Sequence, residues 1–298
     1  MRRTKIVATL GPASSTEQSI RELIDAGVDT FRLNFSHGSR QGHRDLIRRI
    51  RAVSESMRCE VAVMQDLAGP KIRTGDMADG AVTLETGGHV RIVTGRIEGT
   101  AERFSSLYEG LPDDVQVGAH ILFDDGKLEA VVEEIEKDEL VCRVLRGGVL
   151  RSRKGMNLPG TPVSAPTVGD KDLDDLEVGI EEGVDFVAVS FVRTAEDVRR
   201  VRRLLEEKGS PVQVIAKIER PEAVEAIDEI TQAAHGLLVA RGDLGVEMDL
   251  ARVPILQKRI IDCANQQEKY VIVATQMLES MIEHRRPTRA EVADVTHA

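Results

Sequence analysis

The sequence predicts an α/β fold: a (β/α)8-type TIM barrel, incomplete at its C-terminal end, with a small all-β lid domain inserted. Three observations lead there. Apolar runs alternate with helical patterns over residues 1–68 and again over 170–298, the rhythm of parallel strands joined by helices. Residues 69–169 break it, holding 15 of the 25 glycines and only short Val/Ile/Leu-rich runs between turn signals, the texture of a β domain. Neither GxGxxG nor GxxxxGK[ST] occurs, which weighs against an open doubly wound sheet.

Each element follows in order. TKIVATL (4–10) reads as a strand, then a helix near 16–26 ends at Gly27. VDTFRLNF (28–35) is the second strand, a helix covers about 40–57, and EVAVMQD (60–66) is the third strand. AVTL, VRIV, HILF, LEAVVEEI and LVCRVL supply the inserted β-barrel lid, with DDG (124–126) and RGG (146–148) as turns. The helix DKDLDDLEVGIEEG then leads into VDFVAVSF (184–191). A helix near 195–208, VQVIAKIE (212–219), a helix near 221–230 and GLLVARGD (236–243) follow. A long helix near 252–267 precedes KYVIVATQ (269–276), and PTRAEVADVTHA opens a last helix with Pro287 at or just outside its first turn. That makes seven strands of a barrel rhythm, with no eighth.

Composition narrows the function. Forty basic against fifty acidic residues leave a net charge of −10, and aromatics are 3% with no Trp. A nucleic-acid binder would show a basic balance or stacking aromatics. Apolar runs fall short of the ~20 residues of a membrane span, and the N-terminus lacks a signal-like core. Three distant cysteines (Cys59, Cys142, Cys263) without CxxC fit a reduced, cytoplasmic protein with no thiolate zinc site.

In a barrel, chemistry sits at the carboxyl ends of the strands. Arg32, Asn34 and Ser36 share one face of the second strand, and His37 follows. The third ends Gln65-Asp66-Leu67, and Gly69-Pro70 then turns the chain toward Lys71 and Arg73. Lys217 and Glu219 point the same way from the fifth strand. Asp243 ends the sixth, close enough across ~5 Å of strand spacing to converge with Glu219. Two carboxylates suit Mg²⁺ or Mn²⁺, with Lys217 a cation for the same substrate. Thr275 ends the seventh strand, where a hydroxyl can relay a proton or simply cap a helix. Arg143, Arg146, Arg151, Arg153 and Lys154 offer positive charge that a lid could bring to polyphosphate.

Nine segments, in order along the whole chain, resemble the pyruvate kinase family: TKIVATLGPAS (4–14), FRLNFSHG (31–38), QDLAGPKIRTG (65–75), LFDDGKL (122–128), KGMNLPG (154–160), VSFVR (189–193), IAKIE (215–219), VARGDLGVE (239–247) and ATQMLESMI (274–282). The resemblance implies Mg²⁺-dependent phosphoryl transfer between phosphoenolpyruvate and ADP, giving pyruvate and ATP. It implies metal ligands Glu219 and Asp243, and Lys217 beside the transferring phosphoryl group. Arg32 and Arg73 would grip phosphate, Gly242 would leave room for the substrate carboxylate, and Thr275 would sit where the enolate is protonated. Asn34, His37, Arg73 and Lys154 would contact the nucleotide. K⁺ would lie among Asn34, Ser36, Asp66 and the carbonyl of Leu67. Leu67 and Lys71 depart from the Thr and acidic residue of K⁺-dependent members, so Lys71 is expected to replace the ion.

The family continues into an eighth strand and a C-terminal effector domain, so this chain is expected to be a fragment or truncated product of a homo-oligomeric enzyme. Two competing readings stand: a catalytically impaired remnant, and a Mg²⁺-dependent keto-acid lyase or aldolase on the same barrel.

Overall fold

The computed structural model describes residues 4–298. The chain opens with β1 (Val7–Thr9), α1 (Glu17–Asp25), β2 (Thr30–Asn34), α2 (Arg40–Met57) and β3 (Ala62–Asp66). The lid comprises β4 (Ala81–Leu84), β5 (His89–Thr94), β6 (Arg103–Ser106), the short α3 (Leu111–Asp114), β7 (His120–Phe123), β8 (Leu128–Glu136), β9 (Glu139–Arg146), β10 (Gly148–Arg151) and β11 (Met156–Asn157). The chain then returns through α4 (Asp170–Glu181), β12 (Phe186–Val189), α5 (Ala195–Glu207), β13 (Gln213–Ile218), α6 (Pro221–Glu225), α7 (Ile227–Ala233) and β14 (Gly236–Ala240). It ends with α8 (Arg241–Glu247), α9 (Val253–Gln266), β15 (Tyr270–Ala274) and α10 (Arg289–Thr296).

Seven parallel strands form one sheet in the order β1-β2-β3-β12-β13-β14-β15. Its two faces are unlike. On one, apolar side chains of the strands pack with those of the helices, from Ile20 and Ile24 of α1 to Ile260 and Ala264 of α9. On the other, Met64, Ala188, Ile215, Leu238 and Ala240 pack only with strand residues, among them Val7, Phe186 and Ile272. A doubly wound sheet carries helices on both faces; this one curls its inner face onto itself, which decides for the barrel. Among the described residues β1 and β15 stand at the two ends of the sheet.

Local chemistry explains the boundaries. Thr16 caps α1 by accepting from Ser19 N (3.1 Å), and Ser39 caps α2 by accepting from Gly42 N (3.1 Å). Thr194 and Thr288 start α5 and α10 with capping boxes, leaving Pro287 just outside α10. Arginines on α2 reach back across the insertion: Arg40 to Asp175 (3.1 Å), Arg44 and Arg48 to Glu182 (3.0 and 2.6 Å) and Arg51 to Asp185 (2.8 Å). They tie the first barrel segment to the second.

The lid is a six-stranded sheet, β11-β7-β8-β9-β5-β6, beside the pair β10-β4. Phe104 and Phe123 meet edge to face at its centre, 5.6 Å apart. Three expectations need correction. The RGG turn ends at Gly147, because Gly148 already pairs with Leu84 as the start of β10. The lid has strands beyond the five expected, among them the polar run RFSS, which is β6, held parallel to β5. The helix near 221–230 is two helices, broken where Ala226 turns to ψ 20°. No helix among the described residues is long and apolar enough to cross a membrane.

Candidate active site

Four alternating charges cross the barrel mouth. Arg32 on β2 donates to Asp66 on β3 from Nε (2.7 Å), with Nη2 at 2.5 Å, and to the Thr9 hydroxyl of β1 (2.9 Å). The other Asp66 oxygen lies 3.2 Å from Lys217 Nζ on β13, and Lys217 also reaches Glu219 Oε1 (2.8 Å). Asp66 and Glu219 are each 1% exposed. Burial alone would pull Lys217 toward neutrality; the charges of Glu219, Asp66 and Asp243 overcome it and hold the ammonium well above its ordinary value. Burial pushes the Glu219 carboxyl up, with Lys217 opposing and Asp243 adding to the rise.

Ser190 was not singled out from the sequence, yet it knits this network together. Its Oγ accepts from Lys217 (2.6 Å) and donates to the Leu67 carbonyl (2.7 Å). Phe191, held at φ 55°, aims its backbone N–H at Glu219 Oε2 (2.6 Å). The exit into the lid must pass close by: a Cβ on Gly69, at φ +65°, would meet Ser190 and Phe191 at 2.9 Å, so only glycine fits. The signal for Ser190 lay in VSFVR, where a hydroxyl ends a buried strand.

Asp243 does not end a strand. β14 stops at Ala240 and the chain turns directly into α8, with Asp243 in its first turn. The acidic side chain suits the positive helix start, and Thr275 Oγ1 accepts from Gly242 N at 2.9 Å. Asp243 lies near enough to the pair on β13 for its charge to act on both Lys217 and Glu219. Thr275 is exposed and sits at φ 72°, unusual for a β-branched residue. Gln276 and Leu278 share the left-handed region. Backbone strain of this kind gathers at functional loops.

Between the lid and the turn after β2 lies a cleft of about 490 Å³ lined by Ser36, His37, Arg73, Arg96 and Arg153, and none of the four alternating charges lines it. Asn34 Oδ1 accepts from Ser36 N (3.0 Å), fixing the turn that presents Ser36 and His37. Arg96 was missed because it stands alone in a turn. The lid's basic run is largely neutralised within the lid: Arg143 pairs with Glu133 (2.6 Å), Arg146 with Glu129 (3.0 Å) and Arg153 with Asp76 (2.8 Å). Lys154 does not line this cleft. The acidic DDG turn captures it, at 2.7 Å from Asp124.

Asn34 and Asp66 lie opposite one another in register, with Ser36 just beyond. Lys71 is not brought to them. Its stem lies along Gly155, whose Cβ would stand 3.1 Å from Lys71 Cε, and it lines a narrow cleft with Asn157, Arg220 and Glu247. Among the described residues no cluster of three or more His, Cys, Asp or Glu could hold a metal. Glu219 and Asp243 form an all-oxygen pair. A carboxylate oxygen with one hydrogen bond keeps a free lone pair, so the pair fits Mg²⁺, which completes its shell from substrate and water.

The family model described as pyruvate kinase, barrel domain, matches residues 1–298. Pyruvate kinases of Staphylococcus aureus strains MRSA252 and USA300 are each 48% identical over 300 residues, covering 100% of this chain and 51% of theirs. A solved pyruvate kinase from Cryptosporidium parvum superimposes with a TM-score of 0.93 at 40% identity, over 99% of this chain and 62% of that one. The chain spans about half the length of the curated relatives it matches.

Proposed function

Because the chain belongs to the pyruvate kinase family, we propose that its barrel mouth carries Mg²⁺-dependent phosphoryl transfer from phosphoenolpyruvate to ADP. The observation that carries this reading is the buried Lys217, charged and braced by Glu219, Asp66 and Ser190 at the carboxyl end of β13. Glu219 and Asp243 would hold Mg²⁺ or Mn²⁺, which supplies positive charge to phosphoryl and enolate oxygens. Lys217 stabilises the charge on the phosphoryl group as its bond to the enol oxygen breaks and a bond to the terminal ADP oxygen forms. Such transfer asks mainly for positioning and charge.

Arg32 is preorganised for phosphate, since Asp66 and Thr9 already fix its guanidinium. Arg73 joins it from the lid side, while Asn34 and His37 meet the nucleotide. Lys154 would have to leave Asp124 to do so. Gly242 gives the substrate carboxylate backbone room, and the exposed Thr275 hydroxyl passes a proton, through water, to the enolate carbon. With Lys71 turned toward Gly155, the K⁺ ligands Asn34, Ser36, Asp66 and the Leu67 carbonyl still need an ion. The test is a lactate dehydrogenase-coupled assay with phosphoenolpyruvate and ADP. ATP and pyruvate should form in equal amounts only with Mg²⁺ or Mn²⁺; no pyruvate above background would overturn the reading.

A further inference from the structure

We propose that Asn157 of the lid and Glu247 of the barrel form a positioning strut through which the lid holds α8, and with it Gly242 and Asp243, in place. The inference rests on reading Gly242 and Asp243 as site residues. Asn157 Nδ2 donates to Glu247 Oε1 at 2.8 Å, joining residues 90 apart in the chain. Both are buried, at 9% and 8% exposure. Glu247 is the last residue of α8 and lies four positions after Asp243, so the two share one face of the helix. Tension on one is felt by the other within a single turn.

A helix of seven residues has little stability of its own and takes its position from what grips its ends. The Thr275 hydroxyl grips the first, through Gly242 N at 2.9 Å. At the second, the other Glu247 oxygen has no hydrogen bond; the nearest cation, Arg220 Nη2, stands 3.9 Å away and donates instead to the Thr161 carbonyl at 3.3 Å. Asn157 is therefore the one side chain hydrogen-bonded to the Glu247 carboxylate among the described residues. The lid also approaches α8 at Gly126, where an added Cβ would lie 4.0 Å from Val246 Cγ1. Without Asn157 a buried carboxylate would lose its partner, a penalty that favours release of the helix end.

The test is a double-mutant cycle read by amide hydrogen exchange on the 298-residue chain. Asn157→Ala and Glu247→Ala should each speed exchange of the 241–247 amides about tenfold while leaving β12 and β13 unchanged. The double variant should be no faster than either single one, because both remove the same bond. Unchanged exchange over 241–247 in Asn157→Ala would overturn the strut. So would acceleration spread evenly over 241–247 and the barrel strands, or multiplicative effects in the double variant. Mn²⁺ binding by the unaltered chain, followed by electron paramagnetic resonance, tests Asp243 as a metal ligand separately, so failure of that reading and failure of the strut are told apart.

Discussion

Replacing Lys217 with Met keeps the length of the aliphatic stem and removes the ammonium. Glu219 loses a partner at 2.8 Å and Asp66 one at 3.2 Å, while Ser190 loses a donor at 2.6 Å. Asp66 keeps Arg32 at 2.5 Å, whereas Glu219 keeps only the Phe191 amide. Breaking a buried ion pair by removing one partner costs about 3–5 kcal/mol; retention of Arg32 on Asp66 puts the expected loss near the lower end. Glu219 then relieves its unpaired charge by taking up a proton. Its carboxyl already sits above the ordinary carboxylate value, and without Lys217 it rises further. The folded state then binds more protons than the unfolded one, so stability falls as pH climbs from the ordinary value to the raised one. Urea titrations followed by circular dichroism should show a loss of about 3 kcal/mol at pH 8 and a clearly smaller loss at pH 5. Adding Glu219→Gln should restore part of the loss at pH 8. A loss under about 1 kcal/mol at pH 8, or one independent of pH, would refute the charge argument and leave only packing.

Four further outcomes are expected. Glu219→Gln and Asp243→Asn should each weaken Mn²⁺ binding at least about tenfold by electron paramagnetic resonance, with the fold intact by circular dichroism. Initial rates in tetramethylammonium buffer should rise on adding K⁺, because Lys71 lies beside Gly155 rather than among the ion's ligands. In the native protein, Ellman's reagent should find one fast thiol, the exposed Cys59; burial pushes Cys142 up to about 12 and also raises Cys263, so those two should react only after denaturation. The Ser280 hydroxyl and amide, with the Thr288 amide, hold the Glu291 carboxyl down to about 2. That capping contribution is present above the ordinary carboxylate value and is lost as pH falls toward 2, so the Ser280 amide should lose exchange protection over that window.

Much of the barrel was legible because its signals are local. Thr16, Ser39 and Thr194 cap helices where the sequence places them, and the buried runs FVAV and VIAKI are strands on both accounts. Lys217 and Glu219 were found from spacing alone, since alternate residues of a strand share a face. What escaped depended on distant partners. RFSS is a strand only because β5 lies beside it, and GLLVARGD stops at Ala240 because Thr275 and the helix start claim the next residues. Ser190 looked like any strand-end hydroxyl until β3 and β13 brought Leu67 and Lys217 to it. Lys71 and Lys154 were assigned by charge, but the direction of a long side chain is set by neighbours that the sequence does not announce, here Gly155 and Asp124.

The insertion enters and leaves the barrel side by side: Thr74 N donates to the Lys154 carbonyl at 2.9 Å, and Arg73 bridges Gly155. This bears on the order of assembly. β3 and β12 are neighbours in the sheet, with Asp66 opposite Ala188. An unstructured chain must close a loop of about 120 residues to pair them, but a lid already folded and clasped at its base shortens the effective loop to about 40, lowering the closure entropy by about 1 kcal/mol. A nascent chain would therefore zip its two barrel segments together most readily once the lid has emerged and clasped. Substitutions that delay the lid should slow formation of the distant β3–β12 pair without touching it.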